Sequence, residues 1–212
     1  MGKRVLFIVM VVVGLLLIVN NHLHYTPGDY LFQWIGVPPW TKGHNTGVHL
    51  PVVIGLFLLL IGGIGTIRVY RHKYPKIRSR LIISCIVFII LFPMATEQFM
   101  FLVQRNTTGV GSVDIHVKES ECQIRTEDDY VKAYCSIPVF NYGDEVQLTL
   151  RPVYDPDLIE FEETTLSVEP HSRFTLGLEF RGSTQQDGNN IFGSFRGEGI
   201  EIKIRGEKKV FY

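Results

Sequence analysis

Acidic side chains are scarce in the first half of this 212-residue chain, and long apolar runs are missing from the second. Residues 1–105 hold two carboxylates, Asp29 and Glu97, against ten Lys and Arg. Residues 106–212 hold nineteen against eleven, so a formal net charge of zero conceals two halves of opposite sign. An overall balance of this kind gives no support to nucleic-acid binding. Catalytic signatures are also missing. There is no Gly-x-Ser-x-Gly elbow, zinc-protease helix, phosphate-binding Walker loop or dinucleotide fingerprint. The expectation is a protein without enzymatic activity and without an obligatory cofactor. Cysteine is sparse as well, with three in total, at 85, 122 and 135.

What the first half does contain is three apolar blocks. Val5–Val19 and Val48–Ile67 carry no charge, and Leu81–Val103 carries only Glu97. About 20 apolar residues of helix cross a bilayer core. The spacing predicts helices over about 5–20, 48–67 and 81–103. The first block competes with a secretory signal, since Lys3 and Arg4 precede it. The sequence Asn20-Asn21-His22-Leu23-His24 offers no small-x-small cleavage site, which favours an uncleaved anchor. Buried core helices are the alternative for all three blocks. The remaining polar chain is too short to wrap three helices that are apolar on every side.

Basic residues accumulate in cytoplasmic loops. Lys3 and Arg4 precede the first block, and six basic residues lie in loop 68–80. The reading is a multi-pass protein of the cell membrane with a cytoplasmic N-terminus. Loop 21–47 lies outside, loop 68–80 inside, and an extracytoplasmic domain spans 106–212.

From about Gly111 the periodicity becomes two. Val146, Leu148 and Leu150 alternate with polar residues, as do Phe174, Leu176, Leu178 and Phe180, and then Ile200, Ile202 and Ile204. Alternation marks strands with one buried face. About seven short strands separated by turns suit a β-sandwich. A two-residue turn at Asp128-Asp129 sets residues whose numbers sum to 257 opposite each other. Cys122 then faces Cys135, and the outside location favours a disulfide.

The turn Asn141-Tyr142-Gly143-Asp144-Glu145 precedes the alternating run Val146–Leu150, and Glu169-Pro170-His171-Ser172 precedes the strand at 173–180. On these residues the stretch 112–205 resembles immunoglobulin-like modules of bacterial surface and membrane proteins. The resemblance implies an immunoglobulin-like sandwich. The hairpin disulfide and the lack of Trp in this half depart from the antibody pattern.

The candidate site residues fall in four places. His22, His24, His44 and His49 flank the outer loop and read first as interfacial polar residues, second as a metal-ligand set. Asp29 is expected to cap a short interfacial helix presenting Leu31, Trp34 and Ile35. Glu97 follows Pro93, a residue that kinks helices, and an intramembrane carboxylate is a candidate polar site. The stretch from Gly182 through Gln185, Asp187 and Asn189 is the longest candidate binding loop. The acidic run Asp155, Asp157, Glu160, Glu162 and Glu163 reads as a solvated face before it reads as a calcium site. Together these residues predict three transmembrane helices followed by an all-β immunoglobulin-like sandwich. Its expected partners are the lipid bilayer and a membrane or envelope protein. The alternative is a small transporter, channel subunit or membrane sensor using Glu97 and the outer-loop histidines.

Overall fold

A computed structural model describes residues 2–42, 46–127, 130–154, 159–184, 192–197 and 199–211. The chain divides into two compact units, Met1–Glu97 and Gln98–Tyr212.

The first unit is helical: α1 (Gly2–Ile18), α2 (Pro27–Trp34), α3 (Leu50–Tyr70) and most of α4 (Ile77–Val103), whose last residues belong to the second unit. Two of these, α3 and α4, are long and apolar enough to cross a membrane. At 17 residues α1 is shorter, about 25 Å at 1.5 Å per residue. The first block was expected to run to residue 20, but its helix stops at Ile18. The chain then turns, with the Asn21 side-chain oxygen accepting from the amides of Leu23 and Tyr25.

Glycine lets α1 and α3 touch through their backbones. A Cβ on Gly14 would sit 2.8 Å from the Gly55 carbonyl oxygen, and one on Gly62 would sit 2.8 Å from that of Phe7. Thr66, one turn beyond Gly62, is buried too. Small residues allow this approach, and packing holds helices together where hydrocarbon surrounds them. The outward face of α3 exposes Phe57, Leu60 and Ile64. α4 has no buried residue at all. It runs through Pro93 as one helix, and the Thr96 hydroxyl donates to the Pro93 carbonyl at 2.8 Å.

The second unit is built of antiparallel sheets. Its strands are β1 (Val113–Ile115), β2 (Glu121–Glu127), β3 (Tyr130–Asn141), β4 (Val146–Val153), β5 (Ile159–Phe161), β6 (Thr164–Val168), β7 (Ser172–Thr184), β8 (Phe192–Arg196), β9 (Gly199–Ile204) and β10 (Glu207–Phe211). One sheet has the order β5-β7-β3-β2-β8, with β1 also paired to β3, and the other has β10-β9-β4-β6. Among the described residues, ten strands replace the expected seven or so. β1 and β2 lie along the same edge of β3, separated by a 3-10 turn at Val117–Glu119. β5 has three residues, too few to show a period.

The alternating apolar residues form one core. Val131, Ala133, Ile137 and Val139 of β3 join Leu148 and Leu150 of β4 and Ile200, Ile202 and Ile204 of β9, all nearly inaccessible. The β2–β3 hairpin has the expected register, with Cys122 opposite Cys135 and Arg125 opposite Lys132. Cys122 and Cys135 are disulfide-bonded, with Cα atoms 4.0 Å apart. The turn residues Asp128 and Asp129 lie outside the described residues.

Candidate functional site

Two polar clusters stand out, one in each unit. The first forms where α2 meets α1 and α3. The sequence Thr26-Pro27-Gly28-Asp29 starts α2 with a reciprocal capping box. The Asp29 amide donates to Thr26 Oγ1 at 3.1 Å, and the Thr26 amide donates to Asp29 Oδ2 at 2.8 Å. Thr26, and not Asp29, is therefore the cap. Asp29 occupies the third helical position, where its negative charge also faces the helix dipole. Gly28 permits close docking, since a Cβ there would lie 2.6 Å from Pro51 of α3 and 3.1 Å from Leu17 of α1.

The second oxygen of Asp29 meets His49. Nε2 of His49 lies 2.5 Å from Asp29 Oδ1, and both side chains are largely buried. His49 is the residue that opens α3. Trp40 stacks on its ring at 4.4 Å between centroids, and Trp40 and His49 also form an isolated β-bridge. One carboxylate thus joins the starts of two helices. Sequence reading missed this pair. The Thr-x-x-Asp spacing at 26–29 is a local signature that could have placed the cap at Thr26, but nothing local links Asp29 to a ring 20 residues away. The rest of the segment turns outward: Tyr30, Leu31, Trp34 and Ile35 are exposed, Trp34 at 83%.

The four histidines between residues 22 and 49 have separate fates. His22 is buried, its amide donating to Thr96 Oγ1 at 3.2 Å. His24 is exposed and holds a positive φ of 58°. His49 belongs to Asp29, and His44 lies outside the described residues. Among the described residues, His22, His24 and His49 do not gather as a ligand set. Glu97 is half-buried one residue beyond Thr96 on α4.

The second cluster covers the outer face of the four-stranded sheet. Glu201 of β9 is buried to 9% exposure opposite Arg151 of β4. Arg151 reaches Glu201 at 3.2 Å and Glu160 at 3.4 Å, and Lys208 approaches Glu201 at 3.3 Å. Lys203 pairs with Glu163. Burial works against the Glu201 carboxylate. Hydrogen bonds and positive charge from Arg151 and Lys208 outweigh that burial and hold its carboxyl below the usual range. The Glu163 carboxylate raises the Lys203 ammonium above its ordinary value.

A depression of about 560 Å³ brings Glu160, Glu162 and Glu163 together with Arg151, Arg181 and Gly182. Two of these three acids have basic partners, so the surface is of mixed sign. Asp155 and Asp157 lie outside the described residues, as do Gln185, Asp187 and Asn189. Gly182 requires a correction, because it belongs to β7 and not to a loop. It pairs with Val131 and Phe161, and a Cβ there would sit 2.8 Å from the Phe161 ring. On the other side of the candidate loop, Phe192 is 86% exposed.

No known family model and no curated protein matches this chain.

Proposed function

We propose that the chain is a multi-pass membrane protein in which α1, α3 and α4 cross the bilayer. The second unit is an immunoglobulin-like β-sandwich displayed outside the cell membrane, where it engages an envelope or membrane protein partner. The observation that carries this reading is α4. It is 27 residues long with none fully buried, so the protein itself covers little of its apolar surface. A lipid bilayer supplies that cover. Six basic residues, from Arg68 to Arg80, precede its apolar run, and the disulfide-bearing unit follows it. Both flanks favour a cytoplasmic start and an extracytoplasmic end.

The aromatic and apolar side chains exposed from Tyr30 to Ile35 suit headgroup depth at the outer surface. The Asp29–His49 pair then holds this segment against the outer ends of α1 and α3. The mixed-sign face around Arg151 and Glu201, together with exposed Phe192, offers a protein partner both charge complementarity and an aromatic anchor.

Protease treatment of sealed inside-out vesicles tests the topology. Residues 106–212 remain intact inside the lumen, and their digestion while the vesicles stay sealed overturns the reading. Photo-crosslinking from position 192 in cells tests partner binding. A specific envelope protein is captured there, and capture at no higher yield than from an exposed control position rejects that part.

A further inference from the structure

β7 is the longest strand of its sheet, and one of its edges is mostly open. On one side, Ser172–Gly182 pair with Asn141–Val131 of β3 throughout. On the other, β5 covers only Gly182–Thr184, and the Glu162 amide donates to the Arg181 carbonyl at 2.7 Å. Among the described residues, no strand pairs with the rest of this edge, from Ser172 to Phe180.

The Glu162 bond shows which backbone groups face outward. The N–H and C=O of a residue in an antiparallel strand point to the same side, and the side alternates along the chain. Arg173, Thr175, Gly177 and Glu179 therefore share the orientation of Arg181 and turn their polar groups to the open edge. Pro138 supports the same alternation. It lies opposite Thr175, and its carbonyl accepts from the His116 amide on the far side of β3. On the core face of the edge, Phe174, Leu176 and Leu178 are only half-buried, as is Leu166 of β6, and all four pack against the same core. The centre of the edge, Thr175-Leu176-Gly177-Leu178, carries no charge or proline to repel another strand.

We propose that two copies of this chain pair antiparallel along β7, with Leu176 opposite Leu176 of the second copy. The ladder needs odd-numbered residues opposite odd-numbered residues, because those carry the outward polar groups. With the two-fold axis at Leu176, Arg173 faces Glu179 of the second copy, and the symmetry repeats the pair. Thr175 faces Gly177, and Phe174 faces Leu178 on the core side. Moving the axis to Thr175 leaves Arg173 opposite Gly177. Moving it to Gly177 sets Arg173 against Arg181. Charge complementarity therefore selects a single register and a second copy as occupant. The open stretch is bounded by Glu162 at one end and the Pro170-His171 turn at the other, and this register uses all of it.

The pairing needs only the fold of the second unit, so it can fail independently of the membrane topology. The test uses the full chain in lipid nanodiscs with Cys85→Ser as background. Leu176→Cys forms a disulfide-linked dimer under mild oxidant, since the Cα atoms in that non-hydrogen-bonded pair are about 4.5 Å apart. Thr165→Cys, on the exposed face of β6, serves as the control and stays monomeric. In the Leu176→Cys background, Arg173→Glu or Glu179→Arg alone lowers dimer yield at least about tenfold, and the two together restore it. The β-sheet circular dichroism and urea midpoint of each variant report that it is folded. Leu176→Cys crosslinking no better than the control overturns the proposal. So does a double swap no better than its single variants, or a wild-type chain that stays monomeric in sedimentation at tens of micromolar.

Discussion

The Asn141 side-chain amide donates to the Glu169 carbonyl oxygen at 2.8 Å, tying together two turns that lie 28 residues apart. The same amide donates to the Asp144 carbonyl at 2.8 Å, and its oxygen accepts from the Gly143 amide at 3.2 Å. The His171 amide closes the joint by donating to the Gly143 carbonyl at 3.1 Å. Asn141 is fully buried, so every bond it loses leaves a polar group dry. Asn141→Asp replaces the donating amide with an oxygen that faces two carbonyls. The expected loss is on the order of 3 kcal/mol, since each unsatisfied buried group costs about 1–3 kcal/mol. Urea unfolding of the solubilised chain, followed by β-sheet circular dichroism, measures it. An unchanged midpoint contradicts the role assigned to Asn141.

The Cys122–Cys135 bond links two strands that are already paired. Its contribution comes from restricting the unfolded chain, about 3 kcal/mol for a loop of this order in the entropy model. Cys122→Ala with Cys135→Ala should lower the unfolding midpoint accordingly. Reductant should then shift the wild type and leave the double variant unmoved. Without reductant, alkylation under denaturing conditions should label Cys85 alone.

The hairpin was legible because two independent signals agree in one register. The apolar residues Ile124 and Ala133 fall on one face, and the cysteines meet. β7 and β9 were legible for the same reason, through strict alternation. Very short strands such as β1 and β5 were not, since three residues contain no period. Gly182 read as the start of a loop because glycine usually signals a turn. Here it admits the Phe161 ring against the strand. The face on which α1 meets α3 was only partly legible. A helix that is apolar all round has no polar stripe to mark its outside, and the small residues Gly62 and Thr66 allow a close contact without naming Phe7 as its partner. The Asp29–His49 pair depends on tertiary placement alone.

Backbone contact between α1 and α3 makes Gly55 intolerant of bulk. A Cβ there would sit 2.7 Å from the Ile18 side chain and 2.8 Å from the Gly14 carbonyl oxygen. Gly55→Leu should separate the helices and cost about 1–3 kcal/mol, the usual range for overpacking. The temperature of irreversible aggregation in detergent should fall. Gly63→Leu is the control, because the nearest atom to a Cβ at Gly63 is 3.9 Å away.

His49 should act as the platform for Trp40. In a Trp34→Phe background the segment between α1 and α3 retains Trp40 as its fluorophore. His49→Ala removes the stacked ring and leaves Asp29 without its 2.5 Å partner. Trp40 emission should move to longer wavelength as the indole gains water. The Asp29→Ala variant should produce the same shift, and should also unravel the start of α2 by removing its contact with Thr26. Emission that responds to neither substitution contradicts the cluster.

Glu201 gives the second unit a definite acid response. Burial opposes its charge, yet Arg151 and Lys208 hold its carboxyl below the usual range. In the unfolded chain a glutamate titrates at about 4.3. As pH falls, the unfolded state therefore takes up this proton before the folded state does. The stabilisation is complete above the unfolded value and is lost as pH falls through the lower, folded one. Glu201→Gln removes this linkage while nearly preserving shape. Its unfolding midpoint should start below that of the wild type at neutral pH, because Arg151 and Lys208 lose their shared carboxylate. Between about pH 5 and pH 3 the wild type should then fall more steeply, so that the two curves converge. Arg151→Met should weaken the wild-type slope as well, since it removes the nearer cation. Parallel curves for wild type and Glu201→Gln would show that this carboxylate titrates alike in the folded and unfolded chain.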